Sequence, residues 1–103
     1  MSEPRHNLVT IQASVIEGRY ELSHAADRCR QNYGYSIEEF CSCIAALTVT
    51  DHFHKTYEFD QGFSPLDSYK IQWQHEGWLD PLFIKVHLDE DAFSSFASFH
   101  RDT

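Results

Sequence analysis

The chain has 103 residues, a formal charge of −8 and 42% apolar residues, with eight Phe, five Tyr and two Trp. This length suits one domain spanning residues 1–103, and a chain of this mass buries roughly two-thirds of its unfolded surface, enough for one core. The composition excludes a disordered chain, no apolar run reaches membrane-span length, and the acidic balance lacks the basic footprint of an ordinary nucleic-acid binder.

The opening MSEPRHN has no hydrophobic signal core, so a cytoplasmic protein is expected. The charge is uneven. Residues 1–50 carry four Lys/Arg against six Asp/Glu, and residues 51–103 carry four against ten. Cys29, Cys41 and Cys43 are odd in number and fall in helical segments. That spacing favours small buried apolar side chains in a reducing compartment over a disulfide framework or a zinc knuckle.

LVTIQASVIEG places Leu8, Ile11 and Val15 at helical spacing, with Asn7 as N-cap and Gly18 as stop. A short extended link, Arg19–Leu22, follows. Ser23 caps a second helix, HAADRCRQN, which ends at Asn32-Tyr33-Gly34. In the next segment Ser36 and Glu39 form a capping-box pattern. The third helix carries Ile37, Phe40, Cys41, Ile44 and Leu47 as its apolar stripe.

After Thr48 the rhythm changes to period two. HFHKTYEF alternates, although its first residues also suit a helical turn, and DQGFSPLD reads as loop. SYKIQWQH sets Tyr69, Ile71 and Trp73 against Lys70, Gln72 and Gln74. LFIKVHL sets Leu82, Ile84, Val86 and Leu88 against Phe83, Lys85 and His87. Asp89-Glu90-Asp91 reads as a hairpin tip, and FASFHR as a last strand with Phe96, Ser98 and His100 on one face. Helices followed by strands predict an α+β domain, with N-terminal helices packed on one face of a mostly antiparallel C-terminal sheet. The other face then carries Phe83, Lys85 and His87. His100 is expected across from Lys85 or His87, since opposed residues have Cβ atoms about 5 Å apart.

Several stretches resemble the MqsR toxins in order and spacing. LVTIQASVIEGRYELSHAA resembles their opening helix, Gly turn and Ser/Thr-started second helix. GYSIEEFCSCIAALTVTDHFHK resembles the next segment, a helix running into an Asp, a Phe and a Lys. LDSY resembles the end of their Trp-Gln-Asp-Val-Tyr segment, and LFIKVHL and FASFHR resemble their last two strands. The similarity covers roughly residues 8–101. It implies a RelE-like fold and a toxin of a type II toxin–antitoxin pair. Such toxins cut messenger RNA without a metal or other cofactor, at short GC-containing sequences, and a co-encoded antitoxin, expected to be of helix-turn-helix type, neutralises them. Of the four family site positions, Lys55 matches. Leu66 stands where the family has Gln, Phe83 where it has Tyr, and His100 where it has Lys.

The residues present still suit metal-free RNA cleavage. A base must take the 2′-OH proton, a cation must steady the pentavalent phosphate, and an acid must protonate the leaving 5′-oxygen. Histidine serves as acid or base near neutral pH, and lysine supplies a compact positive charge. Lys55 is expected to stabilise charge, and His100 to move a proton with His87 or His54 as its partner. Lys85, Arg101, Tyr57 and Tyr69 are expected along the RNA backbone, with Phe83 stacking on a base.

Blander readings stand beside these. A single surface histidine is ordinary. His52 and His54, with His75, form only a weak metal pattern. Trp73 and Trp78 suit core or edge packing. A catalytically inactive homologue that binds its antitoxin, or an unrelated interaction module, also fits an acidic α+β chain.

Overall fold

The computed structural model describes residues 3–59 and 62–102; Asp60 and Gln61 of the expected DQGFSPLD loop lie outside the described residues. The elements run α1 (Leu8–Ile16), β1 (Tyr20–Leu22), α2 (His24–Asn32), α3 (Ile37–Ala45), α4 (Val49–His52), β2 (Phe53–Tyr57), β3 (Leu66–His75), β4 (Trp78–Leu88) and β5 (Ser94–Arg101). The result is an α+β fold, as the change of period along the chain implies.

Each helix starts where a short polar side chain satisfies a free backbone N–H. Asn7 accepts from Thr10 N–H, Ser23 from Ala26, Ser36 from Glu39 and Thr48 from Asp51. Such a cap is worth about 1 kcal/mol. Gly18 follows α1 and Gly34 follows α2, at φ of 76° and 77°. That left-handed conformation lets the chain leave a helix and is cheap only without a Cβ.

The five strands form one sheet in the order β1-β5-β4-β3-β2. β1 runs parallel to β5, and the other neighbours are antiparallel. The extended link expected at Arg19–Leu22 is thus a sheet strand. Three residues are too few for their alternation to mark a sheet strand, so the sequence showed an extended link and not its pairing with β5. β3 and β4 join through Glu76 and Gly77, at φ of 50° and 86°, the geometry of a two-residue type I′ hairpin.

The helices cover one face. Leu8, Ile11, Val15, Phe40, Cys43 and Ile44 pack on Tyr69, Ile71, Leu82, Ile84, Val86, Phe96 and Phe99. Two details of the expected pattern change. In α3 the buried stripe is Phe40, Cys43 and Ile44, while Ile37 is exposed. In β5 the register slips between Lys85 and Val86, because Ala97 is an extra residue relative to β4. Such a bulge inverts the alternation. Phe96 therefore joins the core, and Ser98 and His100 face the other way.

The covered face also buries polar groups, and Asp67 and His75 among them are hydrogen-bonded, whereas the buried Tyr69 hydroxyl has no partner among the described residues. Asp67 is fully buried and accepts from the backbone N–H of Arg5 (2.9 Å) and His6 (2.7 Å) and from Thr56 Oγ1 (2.6 Å). His75 stacks on Tyr35 at 3.9 Å between ring centroids. Its Nδ1 lies 2.7 Å from Glu39 Oε2 and its Nε2 3.1 Å from the Tyr33 carbonyl. Trp73 also donates to Glu39, so it is a tie between β3 and α3. Trp78, by contrast, is exposed on the hairpin. No helix among the described residues is long and apolar enough to cross a membrane.

Candidate functional site

The open face of the sheet is ordered by register into adjacent rows. Lys55 pairs with Ser68, Ser68 with Lys85, and Lys85 with Ser98. The next row holds Lys70, Phe83 and His100. Rows on one face are two residues apart, about 7 Å. An irregularity in β2 between Phe53 and Lys55 adds a further group. Phe53 turns to Tyr69 on the covered face (5.7 Å between rings), while the His54 ring reaches Phe83 at 6.0 Å.

The chain contains three lysines, Lys55, Lys70 and Lys85, and all three converge here. Lys55 Nζ lies 4.5 Å and Lys85 Nζ 4.2 Å from the centre of the Tyr57 ring. Lys70 and Lys85 lie 5.7 and 5.6 Å from the centre of Phe83. Aromatic faces attract cations, which holds the ammonium groups over the rings despite their mutual repulsion. The arginines are spent differently. Arg5, Arg19, Arg30 and Arg101 pair with Glu58, Glu17, Asp27 and Asp80. Lys70 pairs with Asp102 at 3.3 Å, whereas Lys55 and Lys85 have no carboxylate partner among the described residues.

Two imidazoles flank Phe83. His54 has its proton affinity lowered by burial and then by the charges of Lys70 and Lys55, against a weaker opposing pull from Asp102. A neutral ring beside cations suits a general base. His100 lies 5.4 Å from Phe83, and its Nδ1 is 2.9 Å from the Arg101 carbonyl. A carbonyl only accepts, so Nδ1 carries the hydrogen, and Nε2 is the atom left for proton transfer.

The expected site residues therefore divide. Lys55, Lys85, His54, His100, Tyr57 and Phe83 lie together. His100 stands opposite Phe83, not opposite Lys85 or His87 as alternation alone implied, because of the bulge at Ala97. Phe83 is only 7% exposed. The side chains resting on it leave no free face, so it is the floor of the site and not a stacking platform. His87 lies four residues along β4 from Phe83, about 13 Å away. Its ring meets His6 instead, at 5.2 Å, and both burial and His6 lower its proton affinity.

Two expected residues point away from this face. Tyr69 is fully buried in the core. Arg101 pairs with Leu82 on the covered side, with its guanidinium on Asp80 (3.2 Å) and over the Tyr33 ring (4.3 Å). Neither reaches RNA laid on the open face. Lys70 is the residue that sequence reading left out, although its place opposite Ile71 on the polar side of β3 was the signal for it.

Among the described residues no group of three or more His, Cys, Asp or Glu side chains is arranged to hold a metal. His52 Nδ1 is occupied by the Thr48 N–H at the start of α4. The cysteines are unpaired with one another, and burial pushes the Cys43 thiol up to about 12. A thiol held protonated is a poor nucleophile. No protein-family model matches this chain, and no curated protein matches it.

Proposed function

We propose that the open face is the active surface of a metal-independent endoribonuclease. In this reading the protein is the toxin of a type II toxin–antitoxin pair, with a RelE-like fold related to the MqsR toxins. It acts on messenger RNA in the cytoplasm and arrests translation, and an antitoxin encoded beside it silences it. One observation carries the reading: a chain of net charge −8 places its whole lysine complement on one sheet face, beside two imidazoles. A locally basic face on an acidic body binds polyanions, with affinity that falls as salt rises.

The chemistry follows from the positions. Lys55 and Lys85 hold the phosphate oxygens. His54 takes the 2′-OH proton, and the 2′-oxygen attacks the adjacent phosphorus. The bond from phosphorus to the 5′-oxygen breaks, and that oxygen takes the Nε2 proton of His100 in its imidazolium form, which leaves the neutral ring with its hydrogen on Nδ1. The products are a 2′,3′-cyclic phosphate and a free 5′-OH. Cation stabilisation of the pentavalent phosphate replaces what a metal would supply. Tyr57, whose ring lies beside both lysines, offers a hydroxyl where the family's Tyr is absent at Phe83.

The test is cleavage of messenger RNA by the purified protein with EDTA present, together with growth arrest on expression. Lys55→Ala and His100→Ala should each lose at least about 100-fold in rate. If both retain full cleavage, the nuclease reading falls.

A second reading is favoured by Leu66 and Phe83, which lack the polar groups of the family positions. The protein would then bind the antitoxin without cutting RNA. It predicts capture of the neighbouring gene's product with no growth arrest.

A further inference from the structure

The first helix, α1, is apolar on two sides. Leu8, Ile11 and Val15 face the core, while Val9, Ala13 and Ile16 are exposed. These three stand at i, i+4 and i+7 and so form one stripe. Val9 and Ile16 are 73% and 80% exposed, the latter the highest value for a large apolar side chain among the described residues. A helix face turned to water is ordinarily polar. The surroundings carry the same character. In a chain with 23% charged residues, residues 7–16 and 40–50 hold no Asp, Glu, Lys, Arg or His. The two runs meet on one surface. Gln12 Nε2 donates to the carbonyls of Ile44, Ala45 and Leu47 at 3.1, 3.3 and 3.0 Å, which fastens α1 across the end of α3. Ala45, Ala46 and Val49 are exposed there. A groove of about 700 Å³ beside α1 is lined by Val9, Leu47 and Val49 and, from the segment before the helix, by Glu3, Arg5 and His6.

We propose that this uncharged face pairs two copies of the chain about a two-fold axis, with their α1 helices antiparallel. Two molecules of charge −8 repel each other, so they approach at least cost where neither presents a charge. The other exposed apolar side chains lack that setting. Trp78 and Leu79 lie between Glu76 and Asp80, and Phe59 and Phe63 share a depression with Glu21, His24 and His87.

A two-fold contact must be self-complementary, and the stripe meets that condition. Val9 and Ile16 are two helical turns apart, about 10 Å, with Ala13 between them. In antiparallel pairing the Ile16 of each copy falls beside the Val9 of the other, at the groove. Ala13 then lies near the axis, where a small side chain lets two helices approach closely. The positive N-terminal end of each helix also comes beside the negative C-terminal end of the other. The charged side chains nearest those ends in sequence, Arg5 and Glu17, are already paired, with Glu58 and Arg19. Because α1 lies on the covered side of the sheet, both lysine faces point away from the axis. The pairing is therefore independent of what those faces do. The patch is small for a stable interface, so the dissociation constant is expected on the order of 100 μM.

The test is sedimentation equilibrium of the full chain up to about 1 mM. The mass should rise towards twice that of one chain. Association should strengthen at least about threefold between roughly 0.05 and 0.5 M NaCl, because salt screens the repulsion and the interface has no ion pair to lose. Ala13→Glu and Ala13→Lys each set like charges across the axis and should weaken association at least tenfold. An equal mixture of the two variants should pair again. Trp78→Ser and Phe63→Ser should leave association within twofold of the native chain. Thermal unfolding checks each variant, and if a change at Ala13 does not fold, Ile16→Glu at the most exposed position decides in its place. A chain that stays single at 1 mM, association that weakens with salt, or a dimer that survives Ala13→Glu overturns the proposal. So does a mixture that fails to pair, or a dimer lost with Trp78→Ser or Phe63→Ser. Each of these outcomes leaves the RNA reading standing.

Discussion

His75 and His54 stand on strands of one sheet, and their surroundings act on them in opposite directions. His75 faces the helices. Burial alone lowers its proton affinity, but the Glu39 hydrogen bond, the Tyr33 carbonyl and the charges of Glu39 and Glu76 together outweigh it and raise the pKa. His54 faces outward, where burial and two lysines act together to lower it. The covered face thus uses charge to fasten a helix to the sheet, with every polar atom of the clasp paired. The open face keeps Lys55 and Lys85 without a carboxylate partner among the described residues, with only Lys70 paired, to Asp102. Structural charge is satisfied internally, whereas charge left waiting is available to a ligand.

Substitutions should separate the two faces. The largest effect is expected from Phe40→Ala on the covered side. Its ring packs against Tyr20, Phe96 and Phe99 at centroid distances of 5.9, 5.1 and 5.2 Å. Urea unfolding should show a loss of about 4 kcal/mol. His54→Ala should leave stability within about 0.5 kcal/mol and lower RNA cleavage by 100-fold or more. With native His54, the acid limb of the rate–pH profile should fall below about pH 6.5, the ordinary value for the residue. A stability loss without an activity loss would reverse the roles of the two faces.

A smaller effect sharpens the contrast by its sign. A raised pKa means that the folded state holds the His75 proton more tightly. The stabilisation is therefore complete below about pH 6.5 and is lost as pH rises through the folded value. His75→Gln should cost about 2 kcal/mol at pH 5.5, with the gap to the native protein narrowing towards pH 8.5 in urea titrations. A gap that widens with pH would contradict the clasp. The smallest effect is Lys70→Ala, which removes one phosphate-facing cation already shared with Asp102. Its mark should be a salt dependence of RNA binding shallower by about one, with little change in stability.

Much of this could be read from the residues in order. The caps at Asn7, Ser23 and Ser36, the apolar stripes, and the alternation of β3 and β4 were local signals, so they were legible. The same alternation put Lys85 and Phe83 on the outward side. It failed at Ala97, where an extra residue inverts the pattern, and at Tyr20–Leu22, which is too short to have one. Arg101 and Tyr69 read as candidates because they are polar or aromatic beside others. Their true surroundings, Asp80 with Tyr33 and the core around Phe53, come from distant parts of the chain.

The order of polar and apolar residues by itself determined which segments become helix or strand and which side of β4 meets water, because those choices depend on neighbours a few positions away. Only the folded sheet decided that His54, Phe83 and His100 meet and that three scattered lysines share two aromatic rings. Such encounters are set by strand register and by bulges, which the chain acquires when its strands pair.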